Sequence, residues 1–345
     1  MSRAFPGEGP HGRAVAGWGA GPPQYHRGMT SFLEKLSSKF INPVPHMRAT
    51  GLRIDDIGPS RGTMSLPARP EWLGDPTRGL MHPGALTVLA DSACGLAVGA
   101  AIQKKAPYAT LDLRMDYLRS AGPELDTHCA AECYRLTRNV AFVRADVWQE
   151  RRDEPIATAQ ATFMMSTAAT RRPDAAPAAD NLIVPGAPMP PEAPPGAEAA
   201  AAPWTPPAAS DAIDIGQPLP YVEFLGIRRA PGSPTLFRLP FQDKLIGNPM
   251  LPALHGGVVA GFAETAATLH LIVHLKGAKF PKSVDFSIDY LRSGRPQETF
   301  ASSEIVRVGS RVALVQTRCW QRSPDYPIAV TRAHFLLTDP EDPQP

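Results

Sequence analysis

The amino-acid sequence predicts an α+β protein made of two tandem copies of one unit, each with a long helix followed by an antiparallel sheet. Three observations support this prediction. The chain repeats itself at an offset of 173 positions, each copy has a long apolar run behind a histidine, and polar and apolar residues alternate in the segments that follow. At 345 residues the chain is long enough for two domains that each bury a core.

The bulk composition argues against several classes of partner. The 35 Lys and Arg residues nearly balance the 33 Asp and Glu residues, so no nucleic-acid partner is expected. The four cysteines form no CxxC pair, which predicts buried thiols in a reducing compartment. His270 and His274 have the spacing of a metal pair but fall near a predicted helix C-terminus, where the helix dipole favours histidine. No metal and no cofactor are therefore expected.

No segment of the sequence favours a membrane location. The first residues lack the apolar stretch of a signal peptide. The run from Gly84 to Ile102 is nearly long enough to cross a bilayer, but it contains Asp91 near its middle and is rich in Ala and Gly. A buried helix is the better interpretation. The expectation is a cytoplasmic protein with no membrane partner.

The duplication is visible in three pairs of segments. "LDLRMDYLRS" from Leu111 aligns with "VDFSIDYLRS" from Val284, with six of ten residues identical. At the same offset, "LMHPGALTVLAD" aligns with "ALHGGVVAGFAE", and in both an acid follows the histidine by nine positions. With a slip of one residue, "NVAFVRADVWQE" from Asn139 matches "RVALVQTRCWQR" from Arg311. The order of the matches is preserved, so the chain contains an internal duplication.

The duplication and the local composition set the domain boundaries. We predict a disordered extension over 1–28, a first domain over 29–170, a linker over 171–215 and a second domain over 216–340. Pro and Ala dominate the linker, which predicts an extended, semi-rigid tether. Its length would allow the two copies to pack side by side.

Each copy gives the same order of elements. A strand precedes the histidine, within "MSLPA" in the first copy and "TLFRLP" in the second. The central helices are predicted from Gly84 to Gln103 and from Val258 to His274, packed antiparallel across a pseudo-twofold axis. Strands follow, and in "LDLRMDY" every second residue is apolar, as in a half-buried strand.

Each copy resembles a hotdog domain, in which an antiparallel sheet wraps around a long central helix. The paired His–Gly…acid signatures, each followed by "DYLRS", are similar to those of acyl-CoA thioesterases of the phenylacetate-degradation type. The resemblance implies two tandem hotdog domains that form an intramolecular pseudo-dimer and hydrolyse an acyl-CoA. It also implies that the amide after the histidine, here Gly256, holds the thioester carbonyl.

The predicted chemistry combines a helix N-terminus with a carboxylate. The first N–H groups of a helix have no helical partner and can stabilise an oxyanion, and Gly256 and Gly257 present no Cβ to an approaching carbonyl. Asp91 lies roughly 10 Å along its helix from Gly84. An acid at that distance reaches a carbonyl held by the neighbouring antiparallel helix. Each site should therefore take its carboxylate, Asp91 or Glu264, from one copy and its helix start from the other.

Further residues are candidates for binding or positioning the substrate. His82 and His255 stand at the helix entries, where a structural role competes with a catalytic one. In the resembled family an Asn upstream of the histidine positions water or the carbonyl, and Asn248 is the candidate here, although a turn residue is equally consistent. Gly84 is a candidate for substrate contact. Four arginines at strand ends are candidates for the phosphates of CoA, with solvation as the alternative: Arg119, Arg292, Arg138 and Arg311.

The two composite sites are predicted to be unequal. Pro83, at the position of Gly256, has no N–H to offer an oxyanion. Asp75 stands where the second copy has Asn248, and a carboxylate would repel the developing charge. The site with Asp91, Asn248, His255 and Gly256 should carry most of the activity. The site with Glu264 and His82 should be weak or structural.

Two other functions remain open from the sequence. A hotdog enoyl-CoA hydratase or dehydratase also sets a histidine and an acid around a thioester, but its Asp-x-x-x-x-His spacing is absent around His82 and His255. A non-catalytic acyl-CoA-binding protein is the third hypothesis. The apolar inner positions suit a short to medium or aryl acyl group, and homo-oligomers of the double-hotdog chain are possible.

Overall fold

The structure is a computed structural model that describes residues 35–36, 40–41, 43–103, 106–165, 213, 219–230, 232–248, 252–276 and 279–339. The predicted extension over 1–28 lies outside the described residues. So does the predicted linker over 171–215, apart from Ile213. The domain boundaries at these segments therefore stay predictions.

In the described part of the first copy, the structure has the following helices and strands. Helix α1 spans Pro45–Thr50 and α2 spans Pro83–Ile102. The strands are β1 Arg53–Gly58, β2 Arg61–Leu66, β3 Leu73–Asp75, β4 Leu80–Met81, β5 Tyr108–Tyr117, β6 Thr127–Leu136, β7 Val140–Trp148 and β8 Ala157–Met165. The alternation in "LDLRMDY" thus belongs to a real strand, β5, with Leu113 and Met115 buried on its inner face.

The second copy repeats this order. Helix α3 spans Pro220–Leu225 and α4 spans Gly256–Leu275. The strands are β9 Arg228–Arg229, β10 Leu236–Leu239, β11 Ile246–Asn248, β12 Ala253–Leu254, β13 Phe280–Tyr290, β14 Thr299–Val308, β15 Val312–Trp320 and β16 Ala329–Thr338. The one-residue slip of the duplication falls in the loops after β5 and β13, because the two strands end at equivalent tyrosines and the next strands are offset by one residue less.

The two copies share one continuous sheet of twelve strands. The order is β1-β2-β6-β7-β8-β5-β13-β16-β15-β14-β10-β9, so β5 and β13 join the halves at the centre. These strands pair antiparallel, from Asp112 opposite Asp289 to Asp116 opposite Asp285. The fold confirms the predicted α+β class and the intramolecular pseudo-dimer of two tandem hotdog domains. As a result, β5 of the first copy and β13 of the second copy are neighbours in the sheet.

The two long helices pack against each other antiparallel, as predicted. A Cβ on Gly84 would lie 2.9 Å from Cα of Gly261, and one on Gly257 would lie 2.7 Å from Cα of Val88. Close backbone approach at both crossings needs glycine, since a larger residue would force the helices apart. The observed helix bounds differ from the predicted ones by one or two residues, because Pro83 and Gly256 already belong to the first turns.

The apolar composition of the long helices reflects burial in the core. By length and hydropathy alone both α2 and α4 could span a bilayer, but 89% and 67% of their apolar windows are buried inside the protein. All four cysteines are buried and unpaired. Burial raises the pKa of the Cys94 thiol well above its usual range.

Candidate active sites

Two composite sites lie where each long helix begins against the middle of the other. The Asp91 site combines Asp91 on α2 with the start of α4, at His255 and Gly256. The Glu264 site combines Glu264 on α4 with the start of α2, at His82 and Pro83. Each site thus takes its acid from one copy and its helix start from the other, as the antiparallel packing requires.

In the Asp91 site, the carboxylate lies directly on the N-terminus of α4. Oδ2 of Asp91 accepts a hydrogen bond from the Gly257 N–H at 2.9 Å, and Oδ1 accepts one from the Thr110 hydroxyl at 3.0 Å. Asp91 is buried, with 6% of its surface exposed. An anion at a helix N-terminus is stabilised by the unpaired N–H groups and by the dipole. These contacts fix the carboxylate in one orientation.

His255 caps the same helix. Its Nδ1 accepts from the Gly257 N–H at 3.0 Å and lies 3.4 Å from Oδ2 of Asp91. Burial lowers the pKa of His255, and the charge of Asp91 only partly opposes this, so the ring is neutral. Because Nδ1 is an acceptor, the hydrogen-bond network assigns the ring proton to Nε2, which lies 3.4 Å from the Ser92 hydroxyl. His255 holds the helix start in place.

Gly256 lies at the point where the site converges. A Cβ at this position would lie 2.8 Å from Oδ2 of Asp91 and 3.2 Å from the Tyr290 hydroxyl. No described residue accepts a hydrogen bond from the Gly256 N–H, whereas the Gly257 N–H is shared by Asp91 and His255. The open amide beside the carboxylate is therefore that of Gly256.

In the Glu264 site, the carboxylate is bound by two side-chain hydroxyls. Oε1 of Glu264 accepts from the Ser283 hydroxyl and Oε2 accepts from the Tyr117 hydroxyl, both at 3.0 Å. The Tyr117 oxygen also lies 2.9 Å from Oγ1 of Thr87. Burial raises the pKa of Glu264 to about 7, although both hydrogen bonds act in the opposite direction. This acid is held by side chains, whereas Asp91 is held by a helix N-terminus.

The start of α2 is closed by the protein itself. The Gly84 N–H donates to Nδ1 of His82 at 3.0 Å, and burial lowers the pKa of His82 to about 3. The ring of Tyr221 stacks on His82 at a centroid distance of 4.3 Å, and its hydroxyl would lie 2.7 Å from a Cβ on Gly84. Pro83 adds no N–H. This end therefore presents no open amide.

Gly84 and Gly257 were predicted to contact substrate; this stays a prediction, and neither offers an unbonded N–H group. Both N–H groups are already bonded, to the histidine caps and, for Gly257, also to Asp91. The space that a Cβ would take is filled by Tyr221 at Gly84 and by Val88 at Gly257. These glycines serve the helix crossing.

A cavity of about 260 Å³ adjoins the Glu264 site. Its walls combine the start of α2, one face of α4 and the beginning of β13, and its apolar members include Leu86, Leu219, Val222, Leu269, Ile272 and Phe280. Arg78, Arg119 and Lys282 also line it. This cavity therefore lies beside the Glu264 site, which the sequence predicts to be the weaker one.

The equivalent groove at the Asp91 site is narrower. Gly95 and Gly99 occupy the positions of the cavity residues Thr268 and Ile272. A Cβ on Gly99 would lie 2.9 Å from the Tyr108 hydroxyl and 3.5 Å from Leu36. The Tyr108 hydroxyl donates to the Gly95 carbonyl at 2.8 Å. Tyr108 therefore narrows the groove on this side.

The four candidate arginines fall into two groups at opposite ends of the sheet. The Arg119 N–H donates to the Ile156 carbonyl just before β8, whereas Asn139, next to Arg138, accepts from the N–H of Met165 at the end of β8. The register of β5 with β13 brings Arg292 to the same end as Arg138, and Arg311 to the end of Arg119. Each end thus combines arginines from both copies, with Arg138 and Arg311 exposed.

Two of these arginines are engaged by protein atoms. Arg119 pairs with Glu154 at 3.0 Å, where both side chains are nearly half exposed. Arg292 donates to the Pro327 carbonyl at 2.8 Å. Their assignment to CoA phosphates stays a prediction.

Asp75 and Asn248 differ in their surroundings. Asp75 accepts from the N–H of Thr77 and pairs with Arg78 at 3.1 Å in a largely buried contact. Arg78 compensates the charge of Asp75, so the predicted repulsion of an oxyanion by Asp75 stays a prediction. Asn248 lies exposed in β11, opposite Ala253. The residues that follow it, 249–251, lie outside the described part of the chain, and its role stays a prediction.

Several site residues were missed by sequence reasoning. Thr110 and Ser283 are equivalent hydroxyl residues at the 173 offset, so a longer self-comparison would have found both. His46 and Tyr221 were hidden because they lie on six-residue helices that carry too little periodicity to read. They occupy matching places in α1 and α3, and each packs on the capping histidine of the other copy.

Comparison with known families supports the duplication. The sequence model of the Thioesterase superfamily matches residues 78–156 and 251–328, one segment in each copy. Among curated proteins, the medium/long-chain acyl-CoA thioesterase YigI of Escherichia coli is 27% identical over 108 residues, which cover 28% of this chain and 70% of that protein.

Solved structures share the whole two-domain architecture. A hotdog-fold protein of unknown function from Alicyclobacillus acidocaldarius superposes with a TM-score of 0.56 at 15% identity, covering 83% of this chain and 96% of its own. Acyl-CoA thioesterase II TesB2 from Mycobacterium marinum gives a TM-score of 0.53 at 13% identity, covering 86% and 98%. At these identities the likeness shows the fold alone.

Proposed function

We propose that the chain, which is similar to the Thioesterase superfamily in both copies, is a tandem-hotdog enzyme that hydrolyses acyl-CoA thioesters, mainly at the Asp91 site. The observation that carries this proposal is the contact of Asp91 with the start of α4, where Oδ2 lies 2.9 Å from the Gly257 nitrogen. A carboxylate and an open amide at Gly256 then face the same point, one for the attacking group and one for the carbonyl oxygen.

In the proposed reaction Asp91 acts as a general base. It takes a proton from a water molecule while the water oxygen bonds to the carbonyl carbon, and the carbonyl oxygen becomes an oxyanion beside the Gly256 N–H. Collapse of this intermediate breaks the carbon–sulfur bond. CoA leaves as a thiolate and receives the proton from Asp91, and the acyl group leaves as a carboxylic acid.

The same geometry supports a weak Glu264 site. Pro83 lacks the N–H that Gly256 offers, and the removal of one oxyanion donor typically costs ~100- to 1,000-fold in turnover. Glu264 is bound by Tyr117 and Ser283 and carries a raised pKa, so it is a poor base below pH 7. Asn248 and His255 complete the Asp91 site in this proposal, with His255 positioning the helix start.

The acyl preference follows from the groove beside Asp91. Tyr108 narrows that groove, which supports a short to medium or aryl acyl group. The medium part of this range overlaps the chain length in the name of the Escherichia coli relative.

We assign the chain to the phenylacetate-degradation type on its paired His–Gly…acid signatures. The arginine groups at the two ends of the sheet would contact the phosphates of CoA.

The test is the release of free CoA from a panel of straight-chain and aryl acyl-CoAs, followed with a thiol reagent. Thiol release with formation of the free acid is the expected result. Hydration of an enoyl-CoA without thiol release would indicate a hydratase, and acyl-CoA binding without either reaction would indicate a binding protein. A strict preference for very long acyl chains would contradict the assigned substrate class.

A further inference from the structure

The hydroxyl of Tyr290 is a buried polar group that the reaction described so far does not use. It has no hydrogen-bond partner within the described part of the chain. Tyr290 ends β13, the strand that joins the second copy to the first. A buried hydroxyl without a partner costs free energy, so its position calls for a reason.

The Tyr290 hydroxyl lies at the reacting point of the Asp91 site. A Cβ on Gly256 would be 3.2 Å from this hydroxyl and 2.8 Å from Oδ2 of Asp91. The phenol, the carboxylate and the first turn of α4 therefore converge on one position. Burial and the nearby charge of Asp91 hold the pKa of Tyr290 well above its usual range, so the phenol keeps its proton and can donate a hydrogen bond.

The equivalent tyrosine at the other site has a different environment. The Tyr117 hydroxyl donates to Oε2 of Glu264 at 3.0 Å and lies 2.9 Å from Oγ1 of Thr87. Two sequence differences remove both partners from Tyr290. Ala260 replaces Thr87, and the shorter Asp91 replaces Glu264 and binds the helix N-terminus. The free hydroxyl thus belongs to the site that also keeps the open amide.

We propose that Tyr290 is a catalytic residue that donates a hydrogen bond to the thioester carbonyl oxygen as it becomes an oxyanion. The phenol and the Gly256 N–H form a pair of donors, and the phenol keeps its proton throughout. The bond strengthens when water adds to the carbonyl and weakens again when the thiolate leaves. This inference rests on the proposed thioester hydrolysis at Asp91.

The first test is Tyr290→Phe in the full chain, with Tyr117→Phe as the matched control. Because the Tyr290 oxygen has no hydrogen-bond partner among the residues that the structure describes, the variant should keep the Tm of the wild type. Its kcat should fall by about 100-fold, the usual effect of losing one oxyanion donor, with little change in KM. Tyr117→Phe should show a lower Tm, because Glu264 loses a hydrogen bond, and a much smaller loss of kcat than Tyr290→Phe.

The second test is Ala260→Thr, which restores the partner that Thr87 gives Tyr117. The added hydroxyl should bind the Tyr290 phenol and lower kcat by about tenfold, while the aromatic ring stays in place. If Tyr290→Phe fails to fold, Ala260→Thr still tests whether the Tyr290 hydroxyl donates to the oxyanion. Tyr290→Phe with more than half of the wild-type kcat, or a fully active Ala260→Thr, overturns the proposal. Absence of thiol release from the wild type would instead overturn the proposed function itself.

Discussion

The Asp91 carboxylate accepts a hydrogen bond from the Gly257 N–H at 2.9 Å, although the two residues are 166 positions apart in the chain. The acid belongs to the first copy and the amide to the second. Neither copy alone contains this contact, so the proposed Asp91 site needs both copies.

Replacing the two acids separately tests which site is active. Asp91→Asn should lower kcat by about 100- to 10,000-fold, because it removes the general base. Glu264→Gln should leave most of the activity, since Glu264 does not contact an open helix start. Thiol release measures both, after circular dichroism has shown that each variant folds. A larger loss from Glu264→Gln would move the chemistry to the end with the 260 Å³ cavity.

Gly256 should tolerate no side chain. In Gly256→Ala the new Cβ would lie 2.8 Å from Oδ2 of Asp91, closer than carbon and oxygen pack, so the carboxylate must move away from the Gly257 N–H. We expect kcat to fall at least tenfold, in line with the cost of a misplaced catalytic group. The control is Pro83→Ala at the equivalent position, which should keep its activity. Equal activity of both variants would contradict this role of Gly256.

The raised pKa of Glu264 predicts a pH-dependent stability. At low pH the acid is protonated in the folded and the unfolded chain. Between about pH 4.5 and about 7 the unfolded chain ionises while the folded chain keeps its proton, so the free energy of unfolding falls as the pH rises. A shift of this size corresponds to roughly 3 kcal/mol.

Glu264→Gln removes this dependence. Urea unfolding of the wild type and the variant at pH 5 and pH 8 measures it. The variant should gain about 2 kcal/mol relative to the wild type between the two pH values. A constant difference between the two proteins would show that Glu264 ionises normally in the folded state.

Tyr108 should limit the length of the acyl group. Tyr108→Leu opens the groove beside Gly95 and Gly99, so the ratio of kcat/KM for long over short acyl-CoAs should rise by about tenfold. The control is Tyr108→Phe, which removes the bond to the Gly95 carbonyl but keeps the ring. If Tyr108→Leu leaves the chain-length preference unchanged, or if Tyr108→Phe changes it equally, the Tyr108 ring does not limit the length of the acyl group.

The duplication, the apolar runs and the resemblance to hotdog domains together predicted the long helices, their antiparallel packing and the proximity of Asp91 to the start of α4. These follow from offsets within the sequence and from the fixed rise of a helix. The orientation of Glu264 was not predictable in the same way. Because Glu264 is equivalent to Asp91, the sequence suggests that it also contacts a helix start. Its side chain is one methylene longer and instead reaches Tyr117.

The roles of Tyr221 and Arg78 also depend on tertiary contacts. Tyr221 reaches Gly84 from a short helix more than 100 residues away in sequence. Arg78 forms an ion pair with Asp75 and compensates its negative charge. Local patterns report which face of an element is apolar, not which side chain from another element covers it. For that reason the sequence showed that Pro83 lacks an N–H, but not that His82 and Tyr221 occupy the surroundings of the Gly84 amide.

The two halves of the sheet, which meet at β5 and β13, belong to one polypeptide. In a homodimer every substitution enters both sites, and a change that closes one helix start closes the other as well. In a fused chain Pro83, Tyr221 and Ala260 each affect a single site. Substitutions can then improve one site while the other loses activity. We therefore expect one catalytic site for each polypeptide chain.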